Sequence, residues 1–259
     1  MKVGKVFLIG AGPGDPGLLT VKGRKLLAQA DVVVYDALVN PEILKASKRG
    51  AKKIYAGKRG SPSQAAAGRI DQDQINQLML RHAKAGKAVA RLKGGDPFLF
   101  GRGGEEAEFL ADHGIAFEVV PGVSSLTAAP AYAGIPVTDR RHNSILTVVT
   151  GHSREDTYGG PGLDWKNVSK TGTLVVLMGV EQMKNIVEKL KEGGWPGKTP
   201  VACVRWGTWA KQQVVTGALD DIIAKIETAK PAFSSPAVIV VGSVVNLRKK
   251  IRWFDRTGP

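Results

Sequence analysis

The chain has 259 residues, of which 43% are hydrophobic and 23% charged, a balance that excludes an intrinsically disordered polymer and leaves room for one large core or two modest ones. No apolar run reaches membrane-spanning length and the opening MKVGKVFLIGAGPG runs straight into a strand rather than a signal peptide, so a cytoplasmic protein without a membrane partner is expected. A net charge of +14 asks for an acidic partner, either nucleic acid or a polyanionic small molecule.

In chain order, the first half alternates apolar runs with helical periods: strand 5–10, helix 18–30, strand 31–35, helix 41–48, strand 53–56, helix 71–85, strand 87–92, helix 103–113 and strand 116–120. Ile75, Leu78, Met79 and His82 share one face of the 71–85 helix, as expected for a helix packed on a sheet. Such alternation predicts a mainly parallel sheet covered by helices. The segment 121–141 is rich in small residues and prolines and reads as a short helix followed by a linker between two halves. Strands 145–150, 173–178, 200–205, 212–216 and 237–242 follow, with helices 181–193 and 219–229 and another from 243. Consecutive strands and Thr-Gly pairs at 150–151, 171–172 and 216–217, read as turns, predict a mixed or antiparallel second sheet. Ser153 to Gly172 reads as a long surface loop. The domain boundaries expected are 1–120, 121–141 and 142–259, giving two unlike α/β domains with the ligand cleft between them.

Two loops carry the chemistry. Ile9 to Thr20, IGAGPGDPGLLT, follows a strand as a dinucleotide fingerprint does, but Gly10, Gly12 and Gly14 alternate, Pro13 interrupts them and Asp15 stands where the third glycine belongs. A carboxylate there repels phosphate. Arg91 to Glu106, RLKGGDPFLFGRGGEE, ends a strand in two glycines, sets Asp96 before Pro97 and opens a helix with Glu105 and Glu106. Two acidic loops favour a ligand that lacks phosphate and carries positive charge, a description that S-adenosylmethionine fits. A strand-to-helix turn with capping residues would explain the Arg91 to Glu106 loop equally well.

Eight basic residues and no acid lie between Lys45 and Arg69. Those at 45–53 read mostly as a solvated face, whereas Lys58 and Arg59 sit in AGKRGS, a Gly-bounded loop past a strand, where α/β proteins hold ligands. Aromatic stacking platforms are absent from this run apart from Tyr55, which speaks against single-stranded nucleic acid. Cys203, the single cysteine, lies in PVACV and reads as a small buried hydrophobe. The histidines at 82, 113, 142 and 152 have no metal-ligand spacing with one another or with Cys203, and no metal is expected.

The runs GAGPGDPGLLT, YDALV, GKRG, GKAVARLKGGDPFLFGRGGEE, PGVSSLTAAPAYAGIPVTDR, TGH, LMGV and RWGT, in that order, resemble the uroporphyrinogen-III C-methyltransferases of the tetrapyrrole methyltransferase family, from about Lys5 to Trp253. The resemblance implies a fold distinct from the Rossmann methyltransferases and S-adenosylmethionine bound largely by backbone groups, with S-adenosylhomocysteine as product. It places cofactor contacts at Pro13, Gly94, Gly95, Asp96, Leu99, Ser124, Ser125, Met178 and Gly207. Asp96 suits ribose hydroxyls or the ligand ammonium, and the two serines offer hydroxyls at a helix start. Met178, ending an apolar strand, reads on its own as core.

The reaction implied is methylation of uroporphyrinogen III at two pyrrole carbons, C2 and C7, giving precorrin-2 through precorrin-1 for sirohaem or cobalamin biosynthesis. Asp36 and Lys58 take the acid–base positions. Asp36 ends an apolar strand, where desolvation would make it a better base, though it could equally cap the following turn. Arg59, Arg140 and Arg141 are candidate clamps for substrate carboxylates, from charge and loop position. The resemblance also implies a homodimer, and the apolar and basic stretch Ile251 to Phe254 suits such a surface. A methyltransferase acting on a later corrin precursor and an RNA methyltransferase are the alternatives.

Overall fold

A computed structural model of the chain describes residues 2–57, 70–151 and 163–254. Residues 1–124 and 125–259 form two units, each with its own sheet and core.

In the first unit, β1 (Val6–Gly10), β2 (Val32–Tyr35), β3 (Lys52–Tyr55), β4 (Val89–Lys93) and β5 (Phe117–Val120) pair in the order β3-β2-β4-β1-β5. Every pairing is parallel, as the alternation predicts. Strand periodicity splits the side chains between two cores. Val6, Leu8, Val32, Val34 and Val89 face α2 (Gln72–Lys84) and α3 (Gly103–Asp112), whereas Phe7, Ile9, Val33, Ala90 and Leu92 face α1 (Val21–Leu27) and a 3-10 turn at Pro41–Ala46. Helices cover both faces, and β1 and β4, adjacent in the sheet, send their chains to opposite sides. That is the switch point at which open α/β sheets bind ligands beyond the strands' carboxyl ends.

Several boundaries differ from expectation for local reasons. Asp15 accepts from the Gly17 amide and starts a 3-10 turn at Pro16–Leu18, and Thr20 then caps α1 through the Gly23 amide, so one expected helix becomes two short elements. The stretch expected as helix 41–48 is the 3-10 turn, which Asn40 opens and Ser47 ends by turning extended. Asp71 and Gln74 form a reciprocal capping box on α2. The buried stripe of α2 is Ile75, Asn76, Met79, Leu80 and Ala83, with Leu78 and His82 at its flank.

In the second unit, β6 (Leu146–Thr150), β7 (Thr173–Leu177), β8 (Pro200–Arg205), β9 (Gln213–Ala218) and β10 (Ala237–Val241) pair in the order β6-β7-β10-β8-β9. β6 and β7 are parallel and the other pairings antiparallel, the mixed sheet expected. One face packs α5 (Met183–Glu192) and α6 (Ile222–Glu227), and Cys203 lies wholly buried among them. The other face packs α4 (Ser125–Tyr132) and a 3-10 turn at Ser243–Leu247 that continues into α7 (Arg248–Ile251). Thr216 and Gly217 are not a turn but lie inside β9, where Gly217 leaves room for the Asp221 carboxylate. Trp165 and Val168 pack into the core, so the later part of the expected surface loop is a folded segment; residues 152–162 lie outside the described residues.

The C-terminal stretch folds back on its own unit. Trp253 donates from Nε1 to the Ala131 carbonyl at 3.0 Å, and the rings of Trp253 and Phe254 pack against Tyr132. Among the described residues no helix is long and apolar enough to cross a membrane.

Candidate active site

At the carboxyl edge of the first sheet the backbones of three loops touch. Gly12 and Gly95 exchange amide bonds, 2.7 Å from Gly95 N to Gly12 O and 3.2 Å in return, and the Ala11 amide donates to Lys93 O at 2.7 Å. A Cβ on Gly10 would stand 2.5 Å from the Gly122 Cα, so the loops after β1 and β5 meet only because both residues are glycine. Gly95 has φ +67° and nothing within 4 Å of where its Cβ would be, so there is room for close approach on that side while its amide and carbonyl are held by Gly12. Gly94 is glycine for a different reason, since a Cβ there would press on Leu38.

Asp96 joins these loops. Oδ1 accepts the Phe98 amide at 2.8 Å and Oδ2 accepts the Gly122 amide at 2.9 Å, so its first role is to hold the loop after β4 against the loop after β5. Each oxygen keeps a second lone pair for a donor. Pro13 and Leu99 are half-buried in the loops on either side.

Asp36 follows β2 on the face that carries Val32 and Val34. Parallel pairing sets Val34 opposite Arg91, so Asp36 emerges beside the Arg91 guanidinium. Arg91 Nη2 lies 2.6 Å from Asp36 Oδ1, and Arg91 Nε 3.0 Å from Glu106 Oε1. Lys93, two residues along the same face, places Nζ 3.0 Å from Glu106 Oε2. Arg91, Lys93 and Glu106 are 3%, 3% and 0% exposed at the side chain while Asp36 is 28% exposed, so the network has one member that reaches solvent. Two cations and two anions balance, and stripping one partner from such a network typically costs about 3–5 kcal/mol. Although burial alone would lower it, the carboxylates of Asp36 and Glu106 hold the Arg91 guanidinium above its ordinary value. Burial, helped by the charge of Arg91, pushes the Lys93 ammonium down. The sequence places Asp36 in an apolar setting that desolvates it; the structure gives it a guanidinium partner instead.

Glu106 was legible in sequence only as a first-turn acid of α3. The overlooked signal is Arg91 and Lys93 alternating in an otherwise apolar strand, which puts two charges on one buried face and demands an acid opposite. Glu105, by contrast, is half-buried and pairs with Arg102 at 2.6 Å.

In the second unit Ser125 begins α4, with Ser124 the residue before it. Met178 is one residue past β7, has φ +55° and is 48% exposed, so it is a loop residue rather than core. Gly207 lets the loop after β8 approach α4, since a Cβ there would strike Ala129. Arg140 and Arg141 are exposed; Arg141 is gripped by Asp139 through two bonds of 3.0 and 2.9 Å, whereas Arg140 pairs with none of the described residues. Lys58 and Arg59 lie outside the described residues. Across both units, the non-glycine residues with φ in the left-handed region among the described residues are Phe100, Arg102, Met178, Trp206 and Thr208. All fall in the runs LFGRGG, LMGV and RWGT, which also hold the expected cofactor contacts Leu99, Met178 and Gly207.

A family model for tetrapyrrole (corrin/porphyrin) methylases matches residues 5–223. The chain belongs to the tetrapyrrole methylases. This family member is 39% identical to the uroporphyrin-III C-methyl transferase of Thermus thermophilus solved with S-adenyl homocysteine, covering 94% of this chain and 100% of that one at a TM-score of 0.78. A cobalt precorrin-4 methyltransferase is 30% identical, covering 93% of this chain and 95% of that one at a TM-score of 0.79. Siroheme synthase 2 of Yersinia enterocolitica is 47% identical over 97% of this methylase and 51% of its own length. The chain thus spans about half the length of the curated relatives it matches.

Proposed function

We propose that this tetrapyrrole methylase transfers methyl groups from S-adenosylmethionine to C2 and C7 of uroporphyrinogen III, giving precorrin-2. The observation that carries the reading is the similarity, over that protein's whole length, to the Thermus enzyme solved with S-adenyl homocysteine. The residues present suit the donor: Gly95 leaves room for close approach, Asp96 keeps acceptor capacity and Met178 is exposed. Pro13, Gly94, Leu99, Ser124, Ser125 and Gly207 complete the proposed cofactor contacts.

The donor supplies a methyl group on sulfonium sulfur; the C–S electron pair stays on sulfur as the new C–C bond forms, and the cationic macrocycle then loses a proton. The chain's residues have to orient the reactants and receive that proton. Asp36, solvent-reaching and fixed by Arg91, is the proposed acceptor, with Lys58 as its acid–base partner or a carboxylate ligand. Arg59, Arg140 and Arg141 are the proposed substrate clamps. Arg140 is better placed than Arg141, because no acid among the described residues competes for it. Exposed Leu38, Phe98 and Phe100 in the loops after β2 and β4 suit the apolar face of a macrocycle. A homodimer in the cytoplasm belongs to the same proposal.

The 30% identity to a precorrin-4 methyltransferase favours, as the second reading, a later corrin precursor as substrate. Offering uroporphyrinogen III and precorrin-4 separately with the labelled donor decides between them by which tetrapyrrole gains mass.

A further inference from the structure

We propose that Arg91 is a positioning residue for the methyl-transfer reaction, fixing the orientation of the Asp36 carboxylate at the sheet edge. The inference rests on the proposed reading of Asp36 as the proton acceptor.

A guanidinium is planar, and each of its edges can be pinned separately. Here every edge is. Nε is held by Glu106 on α3 at 3.0 Å, Nη1 points to the carbonyls of Val34 on β2 and Leu92 on β4 at 3.5 and 3.4 Å, and Nη2 reaches Asp36 at 2.6 Å. Glu106 is itself held by Lys93 at 3.0 Å and by Gln72 of α2 at 3.2 Å. The mount therefore draws on α2, α3, β2 and β4, and Arg91 cannot turn without breaking several bonds. Charge balance for Glu106 needs no guanidinium, because Lys93 already supplies a cation. What Arg91 adds is a directed bond to the one carboxylate of the network that reaches solvent. An aspartate 28% exposed would otherwise sample its rotamers, and a misdirected base loses the orientation that proton transfer requires. Among the described residues, Tyr55 on β3 and Lys93 on β4 also interact electrostatically with Asp36.

Three variants test this: Asp36→Asn, Arg91→Lys, and the paired Arg91→Met with Glu106→Leu, which removes one buried cation together with one buried anion. Thermal melting establishes which variants fold, and calorimetry with S-adenosylhomocysteine reports the cofactor site. Asp36→Asn is expected to lower kcat by about 100-fold or more. Arg91→Lys keeps the charge but not the directed bonds, and is expected to lower kcat about tenfold with S-adenosylhomocysteine affinity within about threefold of the parent. In the paired variant kcat is expected to fall by at least about tenfold with the KM for the tetrapyrrole within about threefold of the parent, because the directed bond to Asp36 is gone. Should Arg91→Lys not fold, the paired variant carries the comparison, and the reverse also holds. An inactive Asp36→Asn beside an Arg91 variant with parental kcat overturns the positioning role alone. An Asp36→Asn variant with parental kcat overturns the reading of Asp36, and this inference with it.

Discussion

Asp96 binds the Gly122 amide at 2.9 Å through one carboxylate oxygen while the other holds the Phe98 amide at 2.8 Å, so a single side chain fastens the loop after β4 to the loop after β5. An amide at this position presents one donor where the backbone already donates. Asp96→Asn is therefore expected to lose about 1–3 kcal/mol of stability and at least about tenfold in S-adenosylhomocysteine affinity. Denaturant melts and calorimetry measure the two; unchanged affinity would remove Asp96 from the cofactor site and leave it a fastener.

The glycines of the same region are expected to separate into two kinds. Gly122→Ala drives a methyl group into the Gly95 carbonyl and should be strongly destabilising, costing about 3 kcal/mol or more. Gly104, in the first turn of α3, has nothing within 4 Å of where an alanine methyl group would sit, and Gly104→Ala should gain up to about 1 kcal/mol. Urea denaturation of the two variants checks the pair, and equal effects would contradict the packing described.

Cys203 is wholly buried between the second sheet and its helices, and burial pushes its thiol up to about 12. The native protein is expected to leave a thiol reagent unreacted at pH 8, with labelling appearing only at the rate of unfolding. Stopped-flow labelling with and without denaturant reads this directly. Fast labelling of the folded chain would mean that β8 is not the interior strand between β10 and β9.

Glu118, on β5, is bonded by Lys22 and Lys5, which hold its carboxyl down at about 2 from an ordinary 4.5. The folded value lies below the unfolded one, so the contribution to stability is present above pH 4.5 and lost as pH falls from there toward about 2. Glu118→Gln should flatten the stability profile in that window and leave the slope above it unchanged. Because the pair is at the surface, added salt should shrink the difference. Chemical denaturation from pH 2 to 7 at two salt concentrations provides the measurement.

The parallel first sheet was legible because short, mostly apolar runs alternate with helical periods, and the mixed second sheet because β8 and β9 follow without a helix between them. Cys203 was legible from its apolar neighbours alone. The failures share a physical cause, in that local pattern does not report a partner distant in sequence. Pro41–Ala46 has helical composition but closes as a 3-10 turn because Ser47 turns extended, and Thr216–Gly217 imitates a turn while its glycine makes space for Asp221. Met178 looks like the end of a strand, yet the chain turns left-handed one residue earlier than the apolar run suggests. Asp36 and Arg91 are 55 residues apart, and only the register of β2 on β4 brings them together. Asp96 was identified by its setting between glycines and proline, but its grip on Gly122 depends on where β5 ends.

Methylation of uroporphyrinogen III is tested most directly by the mass of the tetrapyrrole after anaerobic incubation with this chain and isotopically labelled S-adenosylmethionine. Two labelled methyl groups on the macrocycle are expected, with a singly methylated species rising and falling before them. An unmodified macrocycle, in a preparation that binds S-adenosylhomocysteine and methylates a later corrin precursor, would contradict the proposed activity.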